Sequence, residues 1–148
     1  MKKFIVPIII LTLVILLLIG FFTIRFKQTC IKDFPGFEVK QSELANNQLE
    51  TVGKKVAERW LEFYKPLRFC DASLWLSAYK INSIRTHNQE GNLYIFAVSY
   101  DVRPLITVDS WIAGNGVEEN RWVKRKHTFI RVEKQDDTYK WKDRSNLY

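Results

Sequence analysis

His87 and His127 are the only imidazoles in the chain, and the obvious candidates for general-base or metal-ligand chemistry. His87 stands beside a polar loop. His127 follows Lys124, Arg125 and Lys126, whose charges disfavour the imidazolium form. Neither has a Cys, Asp or Glu at metal-ligand spacing, so both read as surface residues, and no metal or cofactor is expected. Gly-x-Ser-x-Gly, the phosphate-binding P-loop and His-Glu-x-x-His do not occur in the sequence. Gly114-Asn115-Gly116 lacks the further glycine and the strand-then-helix context of a dinucleotide site, and reads as a turn. The expectation is a protein that is not an enzyme.

Two other groups of residues carry chemistry. Cys30 and Cys70 can form one disulfide if the domain lies outside the cytoplasm, and a closed loop of about 40 residues contributes roughly 3–4 kcal/mol in the chain-entropy model. The alternative leaves Cys30 free near a bilayer and Cys70 as a buried apolar residue. The second group is basic. Lys and Arg number 23 against 16 Asp and Glu, for a net charge of +7. Arg121, Lys124, Arg125, Lys126 and Arg131, followed by Lys134, are concentrated against Glu133 alone. One face of a strand can offer them to lipid headgroups, wall polymer or an acidic partner. The plainer alternative is a solvated edge strand, guarded by its lysines against sheet-to-sheet pairing. No nucleic-acid reading motif is present, and nucleic acid is not an expected partner.

The elements that must position these residues fall into two unequal parts. Phe4–Ile24 is an uncharged block in which only Pro7, Thr12, Gly20 and Thr23 are not apolar. As a helix it spans roughly 31 Å, the thickness of a hydrocarbon core, where helix is the form that pairs its own backbone. Pro7 falls in the first turn, where its missing N–H costs little. A cleaved signal peptide has a shorter apolar region ending in a small-x-small site, and Gly20-Phe21-Phe22-Thr23-Ile24-Arg25 offers none. Lys27-Gln28-Thr29 before Cys30 also differs from a lipoprotein cleavage site. An uncleaved anchor over residues 1–26 is expected. Lys2 and Lys3 on one side nearly balance Arg25, Lys27 and Lys32 on the other. The short amino tail then stays inside and the long segment is exported, giving a single-pass cell-membrane protein with its C-terminal domain outside the cytoplasm.

Residues 27–41, with Pro35-Gly36, read as a tether, and residues 42–148 as one domain. Ser42-Glu43 offers a helix start, and Leu49, Val52, Val56, Trp60 and Phe63 recur at helical spacing. Gly53 weakens its middle. Pro66 sets the end near Tyr64. Asp71 can cap a short helix over residues 72–76. The period then becomes two: Tyr79 to Arg85 alternates, Asn88–Asn92 is a loop, and Leu93–Val102 is rich in β-formers. Ala113-Gly114-Asn115-Gly116 is a turn. Arg121–Glu133 and Thr138–Lys142 complete about four antiparallel strands. Helices segregated from strands mean an α+β domain with the helical stripe laid on a bent sheet.

The helix Ala57-Glu58-Arg59-Trp60-Leu61-Glu62-Phe63-Tyr64, the Trp111-Ile112-Ala113-Gly114-Asn115-Gly116 turn, and Trp122 with Phe129-Ile130-Arg131-Val132 and Tyr139-Lys140-Trp141 carry a resemblance. The chain resembles the small extracytoplasmic domains of nuclear transport factor 2-like (cystatin-like) fold found in Gram-positive bacteria as anchored proteins or lipoproteins. The resemblance covers about residues 45–142 and rests on element order and aromatic placement. It implies a helix over a curved antiparallel sheet, leaving a cone that can hold a small ligand. Trp60, Tyr64, Trp75, Tyr94, Phe96, Tyr100, Trp122 and Phe129 are the candidates to line that cone. The alternative is that they fill the core, because a small domain needs large side chains to bury enough area. The expected function is a membrane-anchored, non-enzymatic interaction or scaffold module of the cell envelope, with an envelope protein or a second copy as partner. The second reading is a small-molecule binding domain using the aromatic cone.

Overall fold

The computed structural model describes residues 2–44, 49–112 and 115–146. Ser42-Glu43, the expected helix start, lies instead in a separate 3-10 turn, and the helix that follows is described from Leu49. Ala113 and Gly114 of the expected turn lie outside the described residues. Helix α1 (Lys2–Thr29) is followed by β1 (Glu38–Lys40), a single 3-10 turn at Gln41–Glu43 and α2 (Leu49–Phe63). A second 3-10 turn at Ala72–Leu74 leads into β2 (Leu76–Glu90) and β3 (Leu93–Pro104). Then come α3 (Asp109–Ile112), β4 (Val117–Glu119), β5 (Trp122–Gln135) and β6 (Thr138–Asn146). The strands form one antiparallel sheet in the order β1-β6-β5-β3-β2, with β4 added alongside β5. The class is α+β: an apolar helix, then a helix packed on a strongly curled half-barrel sheet.

Local chemistry explains each part. The side chain of Asp71 caps the second 3-10 turn by accepting from the Ser73 backbone N–H at 2.9 Å. Helix α2 ends at Phe63, before Pro66. The strands run longer than their alternation suggests. The expected loop over Asn88–Asn92 shrinks to Gly91-Asn92, because β2 stays paired with β3 out to Glu90 opposite Leu93. Gly91 supplies the positive φ of +59° that so tight a turn uses. Register shifts at three places along the β2–β3 ladder, and others in β3–β5 and β5–β6, bend these long strands into the curl.

The core lies between α2 and the concave sheet face. Val52, Val56, Ala57, Trp60 and Leu61 meet Phe96, Val98, Tyr100, Val102, Val123, Ile130 and Val132, all buried. Gly53 has a structural reason to be there. A Cβ at that position would stand 2.8 Å from both Ile84 Cγ2 and Phe96 Cδ1, closer than packed carbons approach. The glycine lets helix and sheet touch. Gly53→Ala is thus expected to destabilise the domain by about 1–3 kcal/mol through overpacking, despite alanine's helix propensity. A urea midpoint that instead rises would show that the interface yields.

Residues 30–40, between α1 and the first 3-10 turn, are packed. Cys30 and Cys70 are joined in a disulfide, with Cα atoms 5.1 Å apart. Ile31 bridges Phe69 in parallel, and Phe26 of α1 meets the Trp75 ring edge-on at 5.6 Å. Phe34 and Phe37 stack around Trp141, and Phe34 also meets Phe63. Val39 of β1 is fully buried opposite Tyr139. Three residues are too few to show a period, so β1 is invisible to alternation counting.

Candidate functional site

The candidate site is a cavity of about 200 Å³ at one end of the cone. Tyr64 reaches it from just beyond α2, Leu74 from the 3-10 turn, and Ser110 and Trp111 from α3. Tyr100 comes from β3, Lys126 from β5 and Arg144 from β6. Aromatic packing holds the walls. Tyr64 meets Trp111 edge-on at 5.2 Å, and Trp60 lies below, edge-on to Tyr100 at 5.3 Å. Trp111 donates its indole N–H to the Leu74 carbonyl, and Trp75 donates to that of Phe69.

Two cations define the electrostatics. Lys126 is buried, and its Nζ donates to the Trp111 carbonyl at 2.6 Å. Burial, with a smaller contribution from Arg144, lowers its pKa below the ordinary lysine value. The Arg144 guanidinium sits over the Trp60 ring, 5.0 Å from its centroid. Burial raises the Tyr100 phenol well above its usual pKa, with the Arg144 charge pulling the other way. The Tyr100 hydroxyl therefore stays protonated at any physiological pH and can only donate or accept a hydrogen bond.

The structure sorts the eight aromatic candidates. Tyr64 and Tyr100 line the cavity. Trp60 and Phe96 are buried in the core beneath it. Tyr94 packs on Tyr139, and Trp75 on Phe26. Trp122 borders a surface hollow with Lys80, Asp101 and Arg103, and Phe129 stacks on His87 at 4.6 Å. The last two do not face the cone. The reason is a bulge: Tyr100 pairs with Lys126 but Val102 with Val123, so two residues of β5 oppose one of β3, with Arg125 at φ +59°.

That bulge also corrects the basic face. Lys126 is turned inward, so the expected run of surface cations is broken at its centre. Of the others, Lys124 pairs with Glu119 and Arg131 with Asp143, while Arg121 and Arg125 are exposed. Strand β5 is interior to the sheet, so the edge-strand alternative fails too. Both histidines are exposed, and among the described residues no three His, Cys, Asp or Glu gather as a metal site.

Lys126 and Arg144 are the site residues whose place the sequence hides. Lys126 reads as one more surface cation, and Arg144 lies beyond the last recognisable strand. A larger hollow of about 340 Å³ between α2 and β2 is lined by Glu50, Thr51, Lys54, Ile81, Asn82, Ser83 and Ile84, mostly side chains that water satisfies. Compared with protein-family models, with curated proteins and with solved structures, the chain matches none. The helix on a curled antiparallel half-barrel is consistent with the nuclear transport factor 2-like or cystatin-like fold, and fold alone assigns no activity.

Proposed function

We propose that this chain is a single-pass, membrane-anchored member of the nuclear transport factor 2-like extracytoplasmic domains, serving as a non-enzymatic interaction or scaffold module of the cell envelope. The observation that carries this reading is the way α1 joins the domain. Its Ile9–Phe26 stretch has a mean hydropathy of 2.7 and none of it is buried, as suits an anchor or a signal sequence. Its last turn, however, packs Phe26 on Trp75, and the next residue but three is in the disulfide. A helix tied so closely to the domain favours retention over removal. The disulfide favours an oxidising compartment.

The loops around this junction support a seat on the bilayer. Leu67 is 67% exposed and Ile106 60%, with Leu105 and Ile31 also open to solvent. Leu67 takes a φ of +68°, which disfavours leucine and needs a reason. Trp75 links both loops to the helix: it accepts from the Leu105 N–H and donates to the Phe69 carbonyl. Lipid contact would account for this apolar rim, and a domain held against the membrane suits assembly with an envelope partner or a second copy.

A reporter enzyme active only outside the cytoplasm, fused after Tyr148, is expected to be active. A silent fusion would reverse the orientation. Crosslinking in intact membranes is expected to trap a larger species, and recovery of the monomer alone would count against the scaffold reading. A second reading, small-molecule binding, is favoured by the polar end of the cone cavity.

A further inference from the structure

Tyr100, which lines the cone cavity, carries a hydrogen-bond donor with no acceptor among the described residues. Tyr100 is fully buried, at 0% exposure, and its Oη has no partner among the described residues. Buried hydroxyls nearly always have partners, so this one calls for an explanation. The same cavity gathers Lys126 and Arg144, two cations that disfavour one another, and none of its described lining residues is acidic. An oxygen anion placed there relieves all three conditions. It accepts from the phenol, offsets the mutual repulsion of the cations and forms charge-assisted hydrogen bonds, which are about twice as strong as neutral ones.

Size and wall chemistry narrow the class. A dry cavity of about 150 Å³ is known to hold benzene. The cavity here, at about 200 Å³, has room for a ring of that size with one small polar group. Tyr64, Trp111 and Leu74 offer flat and apolar surface for the ring. Ser110 adds one further hydroxyl. We infer that the cavity binds a small aromatic monocarboxylate, its carboxylate received by Tyr100 Oη, Lys126 and Arg144 and its ring held against Tyr64, Trp111 and Leu74. The inference deepens the small-molecule reading of the cone and rests on it.

The test is calorimetric titration of the full chain in zwitterionic lipid nanodiscs, with benzoate as the probe and benzamide as its neutral isostere. Benzoate is expected to bind about 10-fold more tightly than benzamide, the difference a charged partner makes to a buried donor. Tyr100→Phe removes the orphaned hydroxyl. It is expected to weaken benzoate binding about 10-fold while leaving the ligand-free melting temperature unchanged or higher, a combination that a purely structural tyrosine does not give. Arg144→Gln, on an exposed residue, provides a second variant with little risk to folding, and is expected to weaken benzoate but not benzamide. Equal binding of benzoate and benzamide overturns the anion inference and leaves the small-molecule reading standing. Binding of neither at about 10 mM, a concentration far above the affinities of specific sites, overturns both.

Discussion

Replacing Trp60 by alanine is expected to cost the domain about 3–5 kcal/mol, a loss comparable with the entire stability of many small domains. Trp60 is 1% exposed and among the largest fully buried side chains. Its ring stands at the centre of the cone, edge-on to Tyr100 at 5.3 Å and to Tyr64 at 6.3 Å, with the Arg144 guanidinium above it. Removing the indole deletes the packing beneath the cavity together with three partners' contacts. The neighbours are held by strands on one side and α2 on the other, so they cannot close the gap. Urea unfolding of the full chain in detergent, read by far-ultraviolet circular dichroism, measures the effect. Trp60→Phe should lose markedly less, because a ring still fills most of the space. A loss below about 1.5 kcal/mol for Trp60→Ala would mean that the site collapses and the cone is not built around this residue.

The second large effect belongs to the Cys30–Cys70 bond. The two cysteines are 40 positions apart in sequence. Opening a loop of that length returns entropy to the unfolded chain, worth about 4 kcal/mol in the chain-entropy model. Beside the bond itself the native contacts are modest: the Ile31–Phe69 bridge and the Phe26–Trp75 ring contact. Cys30→Ser is therefore expected to lower stability by about 3–4 kcal/mol and to leave the junction between helix and domain open to protease. Reduction of the unaltered chain should reproduce both effects. A melting temperature unchanged by either treatment would show that aromatic packing of Phe34, Phe37 and Trp141 already holds the segment.

Much of the fold could be read from the residues. The helical stripe from Val52 to Phe63, the stop before Pro66 and the Asp71 cap all act within a few positions of themselves, so their signals survive in the sequence. The curled sheet follows from long alternating strands. The site was less legible. Of eight aromatics suited to a cone, only Tyr64 and Tyr100 reach the cavity. Counting by twos onward from the buried Val123 puts Lys126 outside, because one extra residue near Arg125 reverses the phase.

What the sequence determined by itself was therefore local: an apolar helix of membrane length, a separate α+β domain, and the order of its elements. Hydropathy runs, caps and turns arise from neighbours along the chain and need no partner strand. The tertiary structure alone decided that Cys30 meets Cys70, that Lys126 turns inward beside Arg144, and that the Tyr100 hydroxyl is shut away without an acceptor among the described residues. The disulfide depends on a bridge between loops far apart in sequence, and the other two on which residues face one another across a curled sheet. That register is set by pairing between distant segments, and a shift of one position sends a side chain from solvent to core.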